Sequence, residues 1–176
     1  MSSQSSVFNI VVFRFAGKDG ADQALSEVKR QRKELGYRIV DGAVMRSDEK
    51  GKATFHETAD LSASQGAGIG ALAGALLGLI GGPAGLLVAA TAGAITGGAV
   101  AHFTDRALPN DELKKIAESL RPDTSAIILL IEDTETEKAV DSVKGLNAQV
   151  LTFTLGDEVS GDIAMAATGE LTFGTE

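Results

Sequence analysis

Leu61–Thr104 reads LSASQGAGIGALAGALLGLIGGPAGLLVAATAGAITGGAVAHFT, and no Asp, Glu, Lys or Arg occurs between Asp60 and Asp105. A run this long without charge has to be buried against something, because water solvates its apolar side chains poorly. Glycine costs about 1 kcal/mol relative to alanine in a helix interior, so its repeated use calls for a compensating contact. The spacing shows which contact. Gly66, Gly70, Gly74 and Gly78 recur every four residues, and Gly85, Ala89, Gly93, Gly97 and Ala101 repeat the period beyond the Gly81-Gly82-Pro83 break. Each series draws a ridge of small residues along one helical face, where a second backbone can approach closely and gain dispersion and weak Cα–H···O contacts. Ile69, Leu72, Leu76 and Leu79 in the first helix, and Leu87, Val88, Ile95 and Phe103 in the second, lie largely away from the ridges. The stretch predicts a glycine-zipper helical hairpin over 61–104, with those nine small residues as its helix-packing and oligomerisation surface.

Outward from the hairpin, the two flanks read alike. Val7–Phe15 is β-branched and aromatic and apolar on both faces, as a central strand is. Gly20–Leu35 places Ala21, Ala24, Leu25, Val28 and Leu35 at roughly helical spacing, leaves Lys29, Arg30, Arg32 and Lys33 for water, and is stopped by Gly36. Tyr37–Arg46 is a second strand, Asp48–Gly51 a turn, and Lys52–Thr58 a short or edge strand. After the hairpin come a helix from Pro109 to about Leu120, a buried strand over Ser125–Ile131, an amphipathic helix over Thr134–Leu146 and a last strand over Gln149–Leu155. Two strand–helix–strand units of this kind merge into one antiparallel sheet with both helices on one face. The expected fold is therefore α+β, a ferredoxin-like βαβ…βαβ sheet interrupted by the hairpin. Residues 1–60 and 105–156 form that one domain, 61–104 the insertion, and 157–176 a flexible acidic tail. Within the tail, Glu170–Phe173 has the pattern of a strand that could join a partner's sheet edge.

Does the hairpin cross a bilayer? Helices of about 15 and 21 residues span roughly 22 and 31 Å, against a hydrocarbon core of about 30 Å. The first is short, rich in Gly and Ala, and without the Lys/Arg cluster that fixes an orientation. Two locations follow: the cytoplasmic membrane with the α/β head in the cytoplasm, or a soluble cytoplasmic homo-oligomer with the hairpins packed inside it. The partners expected are further copies of the chain and, in the first case, lipid. A net charge of −8 and the lack of any basic stripe argue against nucleic acid. The chain has no cysteine, so neither disulfides nor thiolate chemistry enter. Its Met-Ser-Ser-Gln-Ser-Ser opening lacks the basic and apolar regions of a signal peptide.

Chemistry is sparse. Gly66-Ala-Gly68-Ile-Gly70-Ala71 can be written as G-x-G-x-x-A. Yet the strand before it ends several residues too early, and Thr91 stands where a ribose-binding carboxylate belongs. His56 and His102 flank the hairpin and suit the boundary of an apolar segment better than a metal site. Asp41, Asp48, Glu49, Asp133, Glu135 and Glu137 read as solvated turn and helix-start carboxylates. No nucleophile elbow, zincin helix or Walker loop is present. Catalytic residues, cofactor and metal are all expected to be absent, which makes the chain a non-enzymatic one.

Several of these pieces, taken in order, resemble the DUF1269 proteins, bacterial proteins of unknown function that often carry a membrane label. The resemblance covers roughly residues 7–155. It rests on the Val11-Val12-Phe13 strand with its following helix, Gly81-Gly82-Pro83, Asp111–Lys115 with Leu120-Arg121-Pro122, and Thr124–Leu130. It implies a bacterial source and a membrane location, carries over no catalytic residue, and does not extend to the tail after Gly156.

Overall fold

A computed structural model of the chain describes residues 6–50, 53–57, 111 and 121–168. Its elements are β1 (Phe8–Ala16), α1 (Gly20–Leu35), β2 (Ile39–Ser47), β3 (Ala53–Glu57), β4 (Thr124–Glu132), α2 (Asp133–Ser142), β5 (Gln149–Thr154) and α3 (Asp157–Thr168). The protein is α+β. Its strands form one sheet in the order β3-β2-β4-β1-β5, and every neighbouring pair is antiparallel. β1 and β4 pair without interruption from Phe8↔Glu132 to Ala16↔Thr124 and lie inside the sheet.

The near-continuous apolar runs of β1 and β4 have a direct cause: both faces of the sheet are buried. On the first face, Val11, Phe13 and Phe15 of β1 join Ile127, Leu129 and Ile131 of β4, beneath Ala21, Ala24 and Val28 of α1, Ala139 of α2 and Val143 just after it. The small stripe of α1 lets that helix sit close to the sheet. Arg30 stays outside, paired with Glu27 and Glu34. The α1 boundaries coincide with those read from the sequence. Gly36 ends the helix with φ 68°, a left-handed cap in which its N–H donates to Arg32 O at 3.0 Å.

The second face carries Phe8, Ile10 and Val12 with Ala126, Ile128, Leu130, Met45 and Phe153. Val159 and Ile163 of α3 belong to that cluster, at 2% and 0% exposure. The tail expected to be flexible from residue 157 is thus helical over Asp157–Thr168. Its buried pair is four residues apart, a period too brief to stand out in a segment of small and acidic residues. Ser160 fastens α3 to the sheet: its Oγ accepts from Phe8 N–H at 3.2 Å and donates to Leu155 O at 3.4 Å.

Two other boundaries differ from expectation. α2 ends at Ser142 rather than near Leu146, since the following turn takes Gly145 and Asn147 to φ 95° and 53°. In β2 the register with β4 slips between Ile39↔Ile131 and Asp41↔Leu130, so Val40 bulges and Asp41 is carried onto the second face. The glycine-zipper hairpin over 61–104 lies outside the described residues. So does the Pro109–Leu120 helix, apart from Asp111, which is helical, and so does the tail beyond Thr168.

Candidate functional site

The described part of the molecule has one end that is built as a rigid rim. β1 stops at Ala16 and α1 starts at Gly20, and the turn between them is held from below by β4. Ser125 Oγ accepts from Ala21 N–H at 2.9 Å and donates to Gly17 O at 2.8 Å. Gly17 N–H donates to Asp123 O at 2.9 Å, and Asp123 N–H to Asp48 O at 3.1 Å. Asp123 takes φ 54°, a left-handed conformation that aspartate tolerates better than most residues. Asp22 in the first turn of α1 is forked by Arg46 of β2, with Nε 3.0 Å from Oδ2 and Nη2 on Oδ1. That fork raises the Arg46 pKa further.

Above this rim lies a shallow cleft of about 240 Å³ lined by Phe15, Ala16, Gly20, Gln23, Leu146 and Asn147. Gly20 is required there: a Cβ at this position would stand 2.5 Å from Phe15 Cβ. The cleft is smaller than the roughly 300–1,000 Å³ usual for a small-molecule site. Its lining offers two side-chain amides, Gln23 and Asn147, and no titratable group, so it contains no acid, base or nucleophile.

A second polar cluster lies where β1 begins. Asn9, buried among apolar residues of β1, donates through Nδ2 to Asp133 Oδ1 at 2.8 Å and Thr136 Oγ1 at 3.0 Å. Its Oδ1 is buried without a hydrogen bond, as is Ser47 Oγ of β2. Asn9 thereby ties the first turn of α2 to the sheet. A third polar contact joins the two helices of the first face: the Tyr37 hydroxyl lies 3.3 Å from Val28 O and 2.9 Å from Ser142 Oγ. Burial pushes the Tyr37 pKa up, against the lowering effect of the Ser142 hydrogen bond.

The residues singled out in the sequence fall as follows. Gly66, Gly70, Gly74, Gly78, Gly85, Ala89, Gly93, Gly97 and Ala101 lie outside the described residues, as does His102. His56 lies in β3, in register with Val44 of β2. Asp48 caps its turn, its Oδ1 accepting from Lys50 N–H at 2.9 Å, and Glu135 pairs with Lys138 at 3.0 Å. Asp41 departs from its solvated reading. It is 6% exposed, and its Oδ1 accepts from Gly42 N–H at 2.7 Å. The bulge that buries it depends on strand register, which no local pattern encodes. Asn9 gave a signal that could have been used, being the lone polar residue in an otherwise apolar run from Val7 to Phe13.

Among the described residues no group of three or more His, Cys, Asp or Glu is placed to hold a metal ion, and no helix is long and apolar enough to cross a membrane. A family model described as a protein of unknown function, DUF1269, matches residues 63–167, more than half of the chain. No curated protein and no solved structure matches it.

Proposed function

Because the chain belongs to the DUF1269 family, whose description leaves the activity open, we propose a function from its own residues: a non-enzymatic, membrane-associated protein that homo-oligomerises through the Gly/Ala hairpin at 61–104. The observation that carries this reading is the charge-free run between Asp60 and Asp105 with its two ridges of four-residue period. In lipid, where no hydrophobic force draws helices together, such ridges supply the close van der Waals contact that does. The α/β part is then a soluble head on the cytoplasmic side. We read its sheet as ferredoxin-like. The order β2-β4-β1-β5, with α1 and α2 on one face, supports that reading, and β3 adds a strand beside β2.

Carbonate washing of membranes from cells expressing the full chain tests the proposal. Protein that stays in the pellet and is released only by detergent is the expected result. Protein that leaves with carbonate as a large soluble particle overturns it in favour of a second reading, a soluble ring or filament with the hairpins inside. One observation favours that second reading: at about 15 residues the first helix reaches only roughly 22 Å.

A further inference from the structure

The last turn of α1 and the start of β2 form one end of the head, and that end departs from the acidic balance of the chain. Lys29, Arg30, Arg32, Lys33 and Arg38 bring five of the sixteen Lys and Arg residues into ten positions, with Glu34 the one carboxylate among them. Arg30 is held by Glu34 and by Glu27. Lys33 and Arg38 are exposed. Between them Leu35 is 48% exposed, one of two large apolar side chains exposed among the described residues. The path of the chain adds a third feature. β3 pairs antiparallel with β2, from Ala53↔Ser47 to Glu57↔Ala43, and so heads for the end where β2 begins and α1 stops. Four residues on from Glu57 the charge-free run opens at Leu61, at most about 14 Å away.

We infer that this end of the head docks on the anionic headgroups of the bilayer, with Lys33 and Arg38 on lipid phosphates and Leu35 reaching into the interface between them. The inference rests on the membrane reading above and names the lipid that the head meets. Basic side chains beside the start of a membrane segment fix its orientation, and they are drawn to the negative surface of the cytoplasmic leaflet. The ends of the charge-free run carry no such cluster. The fold supplies one from α1 and β2, because β3 brings the chain back to their end of the sheet. Leu35 separates lipid from other anionic partners. An exposed leucine among cations gains from apolar surroundings at headgroup depth, while the long stems of Lys33 and Arg38 keep their charges in the polar layer. An acidic stretch of another copy would satisfy the cations and offer the leucine nothing. A single-stranded nucleic acid stacks on exposed aromatic rings, and Tyr37, the aromatic residue at this end, is 2% exposed.

The chain has no cysteine, so a single introduced one carries an environment-sensitive fluorophore at a single position. The full chain is labelled at L35C, or at K50C beyond the far end of β2, where Lys50 is exposed. Each is reconstituted into vesicles of phosphatidylcholine alone or mixed with phosphatidylglycerol, both containing nitroxide-bearing lipid. The L35C probe should be blue-shifted and quenched in the mixed vesicles and not in phosphatidylcholine, and the K50C probe in neither. K33Q/R38Q should lower the ratio of docked to undocked heads roughly five-fold for each cation lost. Salt at about 1 M, which screens charges beyond about 3 Å, should act in the same direction. Equal quenching of L35C in both kinds of vesicle, quenching that survives K33Q/R38Q, or no quenching while the chain still floats with the vesicles overturns the inference and leaves the membrane reading standing. A chain that floats with neither kind of vesicle removes that reading, and this inference with it.

Discussion

Tyr37 shows how much one side chain can join. It stands just before β2, is 2% exposed, and its hydroxyl touches Val28 O of α1 and Ser142 Oγ of α2. A buried hydroxyl of this kind contributes about 1 kcal/mol net. Burial raises its pKa above the ordinary value of about 10, so the folded state holds the proton more tightly than the unfolded one. Its contribution is therefore complete below about pH 10 and is lost as pH rises through the folded value. As the chain has one tyrosine and no tryptophan, the ultraviolet tyrosinate band reports this group alone. That band should titrate above pH 10 in the native protein and fall to about 10 in urea. Tyr37→Phe should lower stability by about 1 kcal/mol near neutrality, an effect that shrinks in alkaline solution. Identical titrations with and without urea would refute the assignment.

At the scale of elements, α3 is the informative case. It follows β5 after Leu155 and Gly156, turns back over the second face, and buries Val159 and Ile163 against strands that β1 and β4 dominate. Phe8 is tied to this end at both backbone groups, its C=O accepting from Leu155 N–H at 2.9 Å and its N–H donating to Ser160 Oγ. The helix is therefore part of the core. Ile163→Ala removes a wholly buried branched side chain and should cost about 2–5 kcal/mol, read as a lower urea midpoint. An unchanged midpoint would mean that residues 157–168 contribute nothing to the fold. The period that marks this helix, two apolar residues four apart among Gly, Ser and Asp, is too sparse to separate from a solvated tail. By contrast, the stripe of α1, with its arginines and lysines opposite, was legible together with both its ends.

For the whole molecule, the contact proposed between copies is helix to helix through the hairpin. Gly74→Leu or Gly93→Leu places a branched side chain on a ridge, holds the backbones apart, and should reduce the mass of the particle measured by mass photometry. Retention of the wild-type mass by either variant would remove the ridges from the assembly.

The sequence by itself determined the order of the described elements from β1 to β5, the central place of β1, the burial of β4, the bounds of α1, and the charge-free run between Asp60 and Asp105. Each of these is written in local periodicity or in the presence or absence of charge, which near neighbours along the chain suffice to show. Only the tertiary structure decided that Asp41 is buried, that Ser125 supports the turn into α1, and that the acidic tail begins as a core helix. It alone also left β5 with one described neighbour. Strand register, a single-residue bulge and the choice of which face a helix covers are settled by contacts between residues far apart in sequence. A polar residue reads the same in a local window whether its partner lies across the sheet or in water.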